Sequence, residues 1–359
     1  MSTLGETTRK PQGSGSLPLV RPQLPGWAPL LVAAESLAVA LLLIVFLGWG
    51  PGLSGAVGLL FYLAVMPVWS SAVEGGRKAK DRLATSLMWS AFGLAMLPLL
   101  SLVWQVLSEG LPVISAEFLT YNMRNVVGEG GGIYHAIIGT FIITGWATVI
   151  SVPVGILAGI YLVEYGDGNR LARVVTFLVD VMTGIPSIVA GLFAYALFVI
   201  FFGPGVRMGF GGSVALSVLM IPIVVRATEE MLKLVPNELR EASYALGVPK
   251  WRTITKVVLP TSMAGIITGV MLAVARVAGE TAPLLIIAGD TDSDNFNAFA
   301  ERMSTLPVFI YYSYTQPGVP PEFGQARAWG AALVLISIVM LFNLVARALS
   351  KYFSPKLGR

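Results

Sequence analysis

Long apolar segments, separated by shorter polar ones, follow one another along most of this chain of 359 residues. A helix needs about 20 apolar residues to cross a bilayer, and eight segments reach that length. They are residues 28–49, 52–73, 83–107, 133–162, 174–202, 212–234, 262–289 and 327–350. The pattern therefore predicts an all-α integral membrane protein with eight spans.

The polar segments indicate how the chain is organised. Residues 1–27 are rich in Pro, Gly, Ser and Thr, which predicts a disordered tail, and they are too polar for a signal peptide. We assign residues 28–82 to a transmembrane hairpin, residues 83–350 to a six-span core and residues 351–359 to a second tail. The hairpin would thus be an addition in front of the core.

Basic residues are concentrated in alternate connections between the spans. If the N-terminus is cytoplasmic, most of the 24 Lys and Arg residues lie on the cytoplasmic side. These are Arg9, Lys10, Arg21, Arg77, Lys78, Lys80, Arg82, Arg170, Arg173, Lys233, Arg240, Lys250, Arg252, Lys256, Arg347, Lys351, Lys356 and Arg359. The positive-inside rule therefore predicts that both termini are cytoplasmic. It also explains the net charge of +4 without a nucleic-acid partner.

Composition excludes several classes of protein. With 55% hydrophobic and 12% charged residues, the chain is not a soluble domain. It has no cysteine and one histidine, which excludes disulfides, thiolate metal sites and multi-histidine metal sites. The sequence contains no G-x-x-x-x-G-K-[ST] motif and no Ser/His/Asp arrangement. We therefore predict neither enzymatic activity nor a bound cofactor in this chain.

A polar and basic segment, residues 236–260, lies between two predicted spans. Pro236 is suited to the start of a helix, and Gly247 to its end. A second amphipathic run, residues 251–259, is predicted to end at Pro260. The result would be two short helices on the cytoplasmic face, suited to docking of a protein outside the bilayer.

Four residues of this segment carry a family resemblance. Glu241, Ala242, Gly247 and Pro260 are similar to the EAA loop of importer-type ABC permeases. In that family the loop is the coupling helix that inserts into a cleft of the ATPase subunit. The resemblance implies that this chain contacts a separate ATPase there.

Two arginines lie within predicted spans or at their edges. Arg226 and Arg276 are each followed four residues later by a glutamate, Glu230 and Glu280. This spacing places each Arg and Glu on one helix face. A charge at bilayer depth costs at least about 2.5–3.5 kcal/mol, so it is expected to face a cavity or a partner. Guanidinium groups suit oxyanions, and a carboxylate can accept a proton from hydrogenphosphate. The residue types alone leave open whether the pairs serve transport or hold helices together.

Two predicted spans are interrupted by glycine and proline. In the fifth span Gly184 and Pro186, followed by Ser187, favour a break that exposes backbone groups. In the seventh span the interruption is residues 279–283, which include Thr281. Broken helices often line transport sites, although a packing kink is the commoner cause of one proline.

Several longer motifs, taken in order, resemble the PstA-type permease of the phosphate-specific ABC importer. They are LVEYG at 162–166, PSIVAGLF at 186–193, PIVVRATEEMLKLVP at 222–236, EASYALGVPKW at 241–251 and ARVAGETAPLL at 275–285. The resemblance covers about residues 83–350. It implies the ABC type I importer transmembrane fold, in which residues 28–82 are an extra N-terminal two-helix hairpin.

The resemblance also implies partners and roles. The partners would be a PstC-type permease, a PstB-type ATPase dimer that binds ATP and Mg, and an extracytoplasmic phosphate-binding protein. The chain would lie in the bilayer of a bacterial plasma membrane and form half of the phosphate pathway. We assign that pathway to charged and polar residues of the matching motifs: Arg226, Glu230, Arg276, Glu280 and Thr281. A permease for sulfate or molybdate and a secondary anion transporter remain the alternatives.

Overall fold

The computed structural model describes residues 23–353, and this part of the chain is helical without a β-strand. The helices are α1 Ala28–Leu47, α2 Pro51–Val73, α3 Gly76–Gly110, α4 Ala116–Thr120, α5 Tyr134–Ile160, α6 Arg170–Thr183, α7 Ser187–Phe202, α8 Gly209–Lys233, α9 Asn237–Ala245, α10 Lys250–Thr253, α11 Leu259–Ala278, α12 Ala282–Ile287, α13 Leu306–Thr315 and α14 Pro321–Phe353. Most of both predicted tails lies outside the described residues.

The number of spans agrees with the hydropathy pattern. Seven helical segments in the described chain are long and apolar enough to cross a membrane. The pair α6 and α7 makes an eighth if it counts as one span, although it bends by 110°. Large apolar side chains such as Leu97 and Trp104 are exposed on α3, as expected for a surface that faces lipid. The prediction of an all-α, multi-pass membrane protein is confirmed.

The third span starts earlier than predicted. Residues 74–82 were expected to form a cytoplasmic loop, but α3 begins at Gly76 and includes the basic residues. The connection from α2 is therefore reduced to Glu74 and Gly75. Gly75 has a φ of 93°, which only glycine adopts readily. Nothing between Gly76 and Arg82 breaks a helix, so the basic segment continues the apolar one.

The chain divides into two compact units, Met1–Leu102 and Val103–Arg359. In the first unit α1 packs on α2 at Gly58, where an added Cβ would lie 2.8 Å from the carbonyl oxygen of Ser36. Glu74 closes the end of α2: it accepts hydrogen bonds from the Ser70 hydroxyl at 2.7 Å and the Leu24 amide at 3.0 Å. Arg82 completes this buried cluster.

Helix α8 is the centre of the second unit. In the most apolar part of α8, 56% of the residues are buried in the protein, whereas the corresponding share is 6–28% in the other six long apolar helices. It packs along α5, where Gly155 and Gly159 leave room for Val224 and Thr228. The Ser213 hydroxyl donates a hydrogen bond to the carbonyl oxygen of α5 residue Ile143 at 3.0 Å. Small residues and hydroxyl groups thus bring the two helices together, as is usual in membranes.

Candidate functional site

The break in the fifth span brings two interrupted helices into contact. Helix α6 ends at Thr183, with Gly184 as its C-terminal cap residue. Helix α7 starts after Pro186, whose backbone is extended with ψ of 138°. On α7, a Cβ at Gly191 would lie 2.6 Å from the Cα atom of Pro283 at the start of α12. Only glycine permits this approach, so the two Gly/Pro interruptions pack against each other.

The seventh predicted span is also interrupted. It was expected to run through residues 262–289, but α11 ends at Ala278 and α12 starts after Thr281. Glu280 lies in the gap and so projects from a segment that is not helical. Thr281 serves as the N-terminal cap residue of α12, without a side-chain hydrogen bond to the helix.

A cavity of about 190 Å³ lies beside these interruptions, and we call it the inner cavity. Its lining comes from α6, the break, α8 and the end of α11: Met182, Thr183, Ile185, Ser187, Leu219, Pro222, Ile223, Arg276 and Glu280. The structure thus brings together three residues singled out in the sequence, Ser187, Arg276 and Glu280. Arg226, Glu230 and Thr281 are not part of this lining.

The charges of the inner cavity are not paired with each other. Arg276 is exposed and Glu280 is half-buried, and neither forms an ion pair within residues 23–353. The idea that they form an internal Arg–Glu pair is therefore wrong for this structure. The inner cavity therefore contains one guanidinium and one carboxylate that are both free to contact a ligand.

Arg226 has different partners from those its sequence spacing suggests. It forms ion pairs with Glu229 at 2.7 Å and with Asp180 of α6, but not with Glu230, which is exposed. Lys233 also contacts Glu229, at 2.7 Å. The expected Arg226–Glu230 pair is wrong because position 229, not 230, faces the protein interior.

These four charges, Asp180, Arg226, Glu229 and Lys233, form a cluster one helical turn from the inner cavity. Asp180 precedes the cavity residue Thr183 by three positions on α6. Arg226 follows Pro222 by four positions on α8. Asp180 and Arg226 therefore both lie on the side of the cavity that is nearer to the end of α8 leading into α9. The cluster therefore lies between the inner cavity and the end of the protein that carries α9 and α10.

The polar segment 236–260 folds into two short helices joined by a turn, as predicted. Helix α9 follows Pro236, and Gly247 ends it with φ of 75°. A hydrogen bond of 2.8 Å between the hydroxyl groups of Ser243 and Thr253 connects α9 to α10. We call α9 and α10 the coupling helices.

The second coupling helix does not end at Pro260, contrary to expectation. It continues through a π-helical turn, Ile254–Val258, into α11, where Pro260 occupies the first turn. A proline lacks the amide proton of a regular helical hydrogen bond, and a local π turn accommodates that loss. Movement of the coupling helices would consequently be transmitted directly to α11 and to Arg276 at its other end.

The outer surface of the coupling helices is apolar for a segment outside the bilayer. Leu246 is 83% exposed and Trp251 58% exposed. Glu241 and Ala242 are also exposed on α9. Such a surface beside charged residues is suited to a protein partner.

Arg240 anchors the coupling helices to the spans. Its guanidinium contacts Glu164, at the end of the α5 segment, with nitrogen–oxygen distances of 2.8 and 3.1 Å. It also donates to the carbonyl oxygens of Val235 at 2.6 Å and Leu232 at 2.9 Å. The side chains of Arg240 and Glu164 are only 12% and 4% exposed. The pair thus fixes α9 against two spans.

Sequence reasoning did not single out Asp180, Glu229, Glu164 or Arg240. Asp180 and Arg226 are 46 positions apart, and Glu164 and Arg240 are 76 apart. The available signal was that Asp180 is an acid within an apolar segment. Glu164 and Glu229 also lie in motifs that carried the family resemblance.

Comparisons with known proteins agree with this architecture. The sequence pattern of the family described as "Binding-protein-dependent transport system inner membrane component" matches residues 151–359. The chain is 46% identical over 285 residues to the "Phosphate transport system permease protein PstA 1" of Mycobacterium tuberculosis (strain CDC 1551 / Oshkosh), covering 79% of this chain and 92% of that protein. It is 39% identical over 280 residues to the "Phosphate transport system permease protein PstA" of Yersinia pestis, covering 77% and 92%.

A solved structure supports the fold. An inward-facing form of the MetNI methionine ABC transporter superposes with a TM-score of 0.50 at 20% identity. The match covers 67% of this chain and all of that chain. This likeness concerns the fold alone, and it agrees with the expected transmembrane fold of ABC type I importers.

Proposed function

Because the chain belongs to the family of binding-protein-dependent transport system inner membrane components, we propose that it is the permease subunit of an ATP-driven importer of inorganic phosphate. The identity of 46% to a phosphate transport permease supports the substrate. The observation that carries the proposal is the inner cavity, beside two helix breaks, where Arg276 and Glu280 have no ion-pair partner among residues 23–353. The protein is a multi-pass membrane permease, and its termini would be cytoplasmic.

Arg276 would bind the phosphate directly. Its guanidinium offers several donors in a planar fork, which suits a tetrahedral oxyanion. Glu280 would accept a hydrogen bond from the P–OH group of hydrogenphosphate, and its negative charge would keep the anion from being trapped. Fully ionised sulfate has no such proton to give.

Arg226 would act later in the path. Its charge is already neutralised by Asp180 and Glu229, so a phosphate must displace a carboxylate to bind there. The cluster lies towards the coupling helices, which the positive-inside pattern assigns to the cytoplasm. We therefore assign it to the cytoplasmic exit of the path. Glu230 and Thr281 stay in the proposed pathway as neighbours of these charges.

The partners follow from the same assignment. A PstC-type permease would form the other half of the path, and an extracytoplasmic phosphate-binding protein would deliver the anion. A PstB-type ATPase dimer, with ATP and Mg bound to it, would receive the exposed coupling helices. ATP binding would draw the coupling helices of both permeases together and open the path outward. Hydrolysis would then return it to the inward-facing state.

Uptake of radiolabelled phosphate by the complex reconstituted in vesicles tests the proposal. The complex contains this chain, its partner permease, the ATPase and the binding protein. Arg276→Gln removes the free charge with little change in volume, so uptake should fall by at least about tenfold. Arg124→Gln, an exposed arginine away from the inner cavity, is the matched control and should transport normally.

The outcomes separate the alternatives. ATP-dependent uptake of sulfate in preference to phosphate would show that the substrate is sulfate and not phosphate. Uptake by this chain without an ATPase would identify a secondary transporter. If Arg276→Gln assembles normally and transports at the rate of the control, Arg276 does not lie on the path.

A further inference from the structure

A second and larger cavity lies at the opposite end of the spans from the coupling helices, and we call it the outer cavity. Its volume is about 410 Å³, against about 190 Å³ for the inner cavity. Three arginines, Arg207, Arg302 and Arg327, and two acids, Asp290 and Asp292, contribute to its lining. The lining is therefore rich in cations and carries a net positive charge.

Two of these arginines converge on one glycine. A Cβ at Gly289 would lie 3.1 Å from the Cδ atom of Arg207 and 3.3 Å from that of Arg302. Gly289 has φ of 75°, which a side chain would oppose. The stems of both arginines are thus packed against the same backbone position.

Neither Arg207 nor Arg302 has an ion-pair partner within residues 23–353. The other charges of the outer cavity are partly engaged. Arg327 donates hydrogen bonds to the carbonyl oxygens of Gly128 and Gly130, at 2.8 and 3.0 Å, and Asp290 accepts one from Ser304 at 2.6 Å. Two arginines that line one cavity and form no ion pair in the described chain are candidates for binding an anion.

The outer cavity lies in line with the inner one. Arg207 precedes α8, whose 25 residues extend about 37 Å to the side of the coupling helices. Helix α12 separates the two cavities: Glu280 precedes it, and Asp290 follows it. With only six residues, α12 spans about 9 Å.

We propose that the outer cavity is a second phosphate-binding site, at the extracytoplasmic mouth of the path, in which Arg207 and Arg302 bind the anion before it reaches Arg276. This inference rests on the proposed function. The acids of the cavity limit the affinity, so that the anion is released towards α12. Polar side chains such as Ser313 complete the lining of the outer cavity.

Protection of a single thiol tests the proposal, since the chain has no native cysteine. Ser313→Cys places a thiol in the outer cavity, and the complex with this substitution must first transport phosphate like the wild type. Its alkylation by N-ethylmaleimide should slow as phosphate is added, and chloride at equal ionic strength should have no effect. In the Arg207→Gln/Arg302→Gln background, protection should require at least about tenfold more phosphate.

The control is Arg124→Gln, which removes an exposed arginine outside the cavity and should leave protection unchanged. Equal alkylation rates in phosphate and chloride would overturn the proposal. So would protection by the binding protein alone, which would make the cavity a docking surface. Absence of phosphate uptake in the wild-type complex would instead refute the proposed function.

Discussion

Replacing Arg240 by methionine should detach the coupling helices while the inner cavity stays intact. The substitution removes two contacts to the Glu164 carboxylate and two to main-chain carbonyl groups, all within 3.1 Å. Glu164 would remain as a charge with a side chain only 4% exposed. Loss of one partner of a buried ion pair costs about 3–5 kcal/mol, mainly because the other charge is stranded.

The magnitude can be tested by thermal unfolding of the purified complex in detergent. At about 2–4 °C per kcal/mol, Tm should fall by about 6–20 °C. Phosphate-stimulated ATP hydrolysis should be lost, since the coupling helices are no longer fixed to the spans. Adding Glu164→Gln should restore part of the stability, with a coupling energy of about 0.5–3 kcal/mol between the two substitutions.

The control is Arg170→Met, which removes an exposed arginine without an ion pair in the described chain. Its effect should stay within about 0.5 kcal/mol. Arg240→Met with unchanged Tm and unchanged stimulated ATP hydrolysis would refute the anchoring role. A fall in Tm with normal stimulation would mean that the pair stabilises the fold but does not serve coupling.

Three further predictions follow from single features. Gly247→Val places a β-branched residue at φ of 75°, so stimulated ATP hydrolysis should be lost while membrane insertion persists; normal stimulation would contradict the coupling role. A cysteine in place of Val127, 90% exposed, should react with an impermeant thiol reagent from outside, and one in place of Lys78 should not; the reverse pattern would invert the topology. The Ser70 hydrogen bond, with help from Arg82, lowers the pKa of Glu74 from 4.5 to about 2. The ionised Glu74 carboxylate therefore stabilises the folded state above pH 4.5, and this stabilisation is lost as the pH falls towards 2. Tm should fall in that pH window, and Glu74→Gln should abolish the fall. A pH-independent Tm in the wild type would contradict it.

The spans and their interruptions could be predicted from the sequence because both are local. About 20 apolar residues suffice to indicate a span, and Gly184 with Pro186 suffice to indicate a break. The end of α10 was mispredicted at Pro260 because a proline stops a regular helix but not one that widens into a π turn. The start of α3 was missed because basic residues were assigned to a loop, although nothing in that segment opposes a helix.

The ion-pair partners in the candidate site could not be predicted from local sequence patterns. Arg226 and Arg276 have the same sequence pattern, an arginine with a glutamate four positions on, yet their surroundings differ. Arg226 lies on a regular helix beside an acid of α6, and it is neutralised by partners that the pattern does not contain. Arg276 lies three residues before a helix break. The break carries Glu280 off the helix, so the i, i+4 geometry no longer holds and the two groups do not pair.

This difference assigns unlike roles to two arginines that the sequence presents as equivalent. A guanidinium without a counter-ion, like Arg276, can bind an anion at no cost in broken ion pairs. Arg226 can bind one only by releasing Asp180 or Glu229, which ties binding to movement of α6 against α8. Because α10 continues into α11, movement of the coupling helices would act directly on Arg276, whereas Arg240 holds them to the end of α8 that carries the Arg226 cluster. Displacement of the coupling helices would therefore change the distance between the free and the paired arginine, and we expect an anion to pass from one to the other in the state that brings them close.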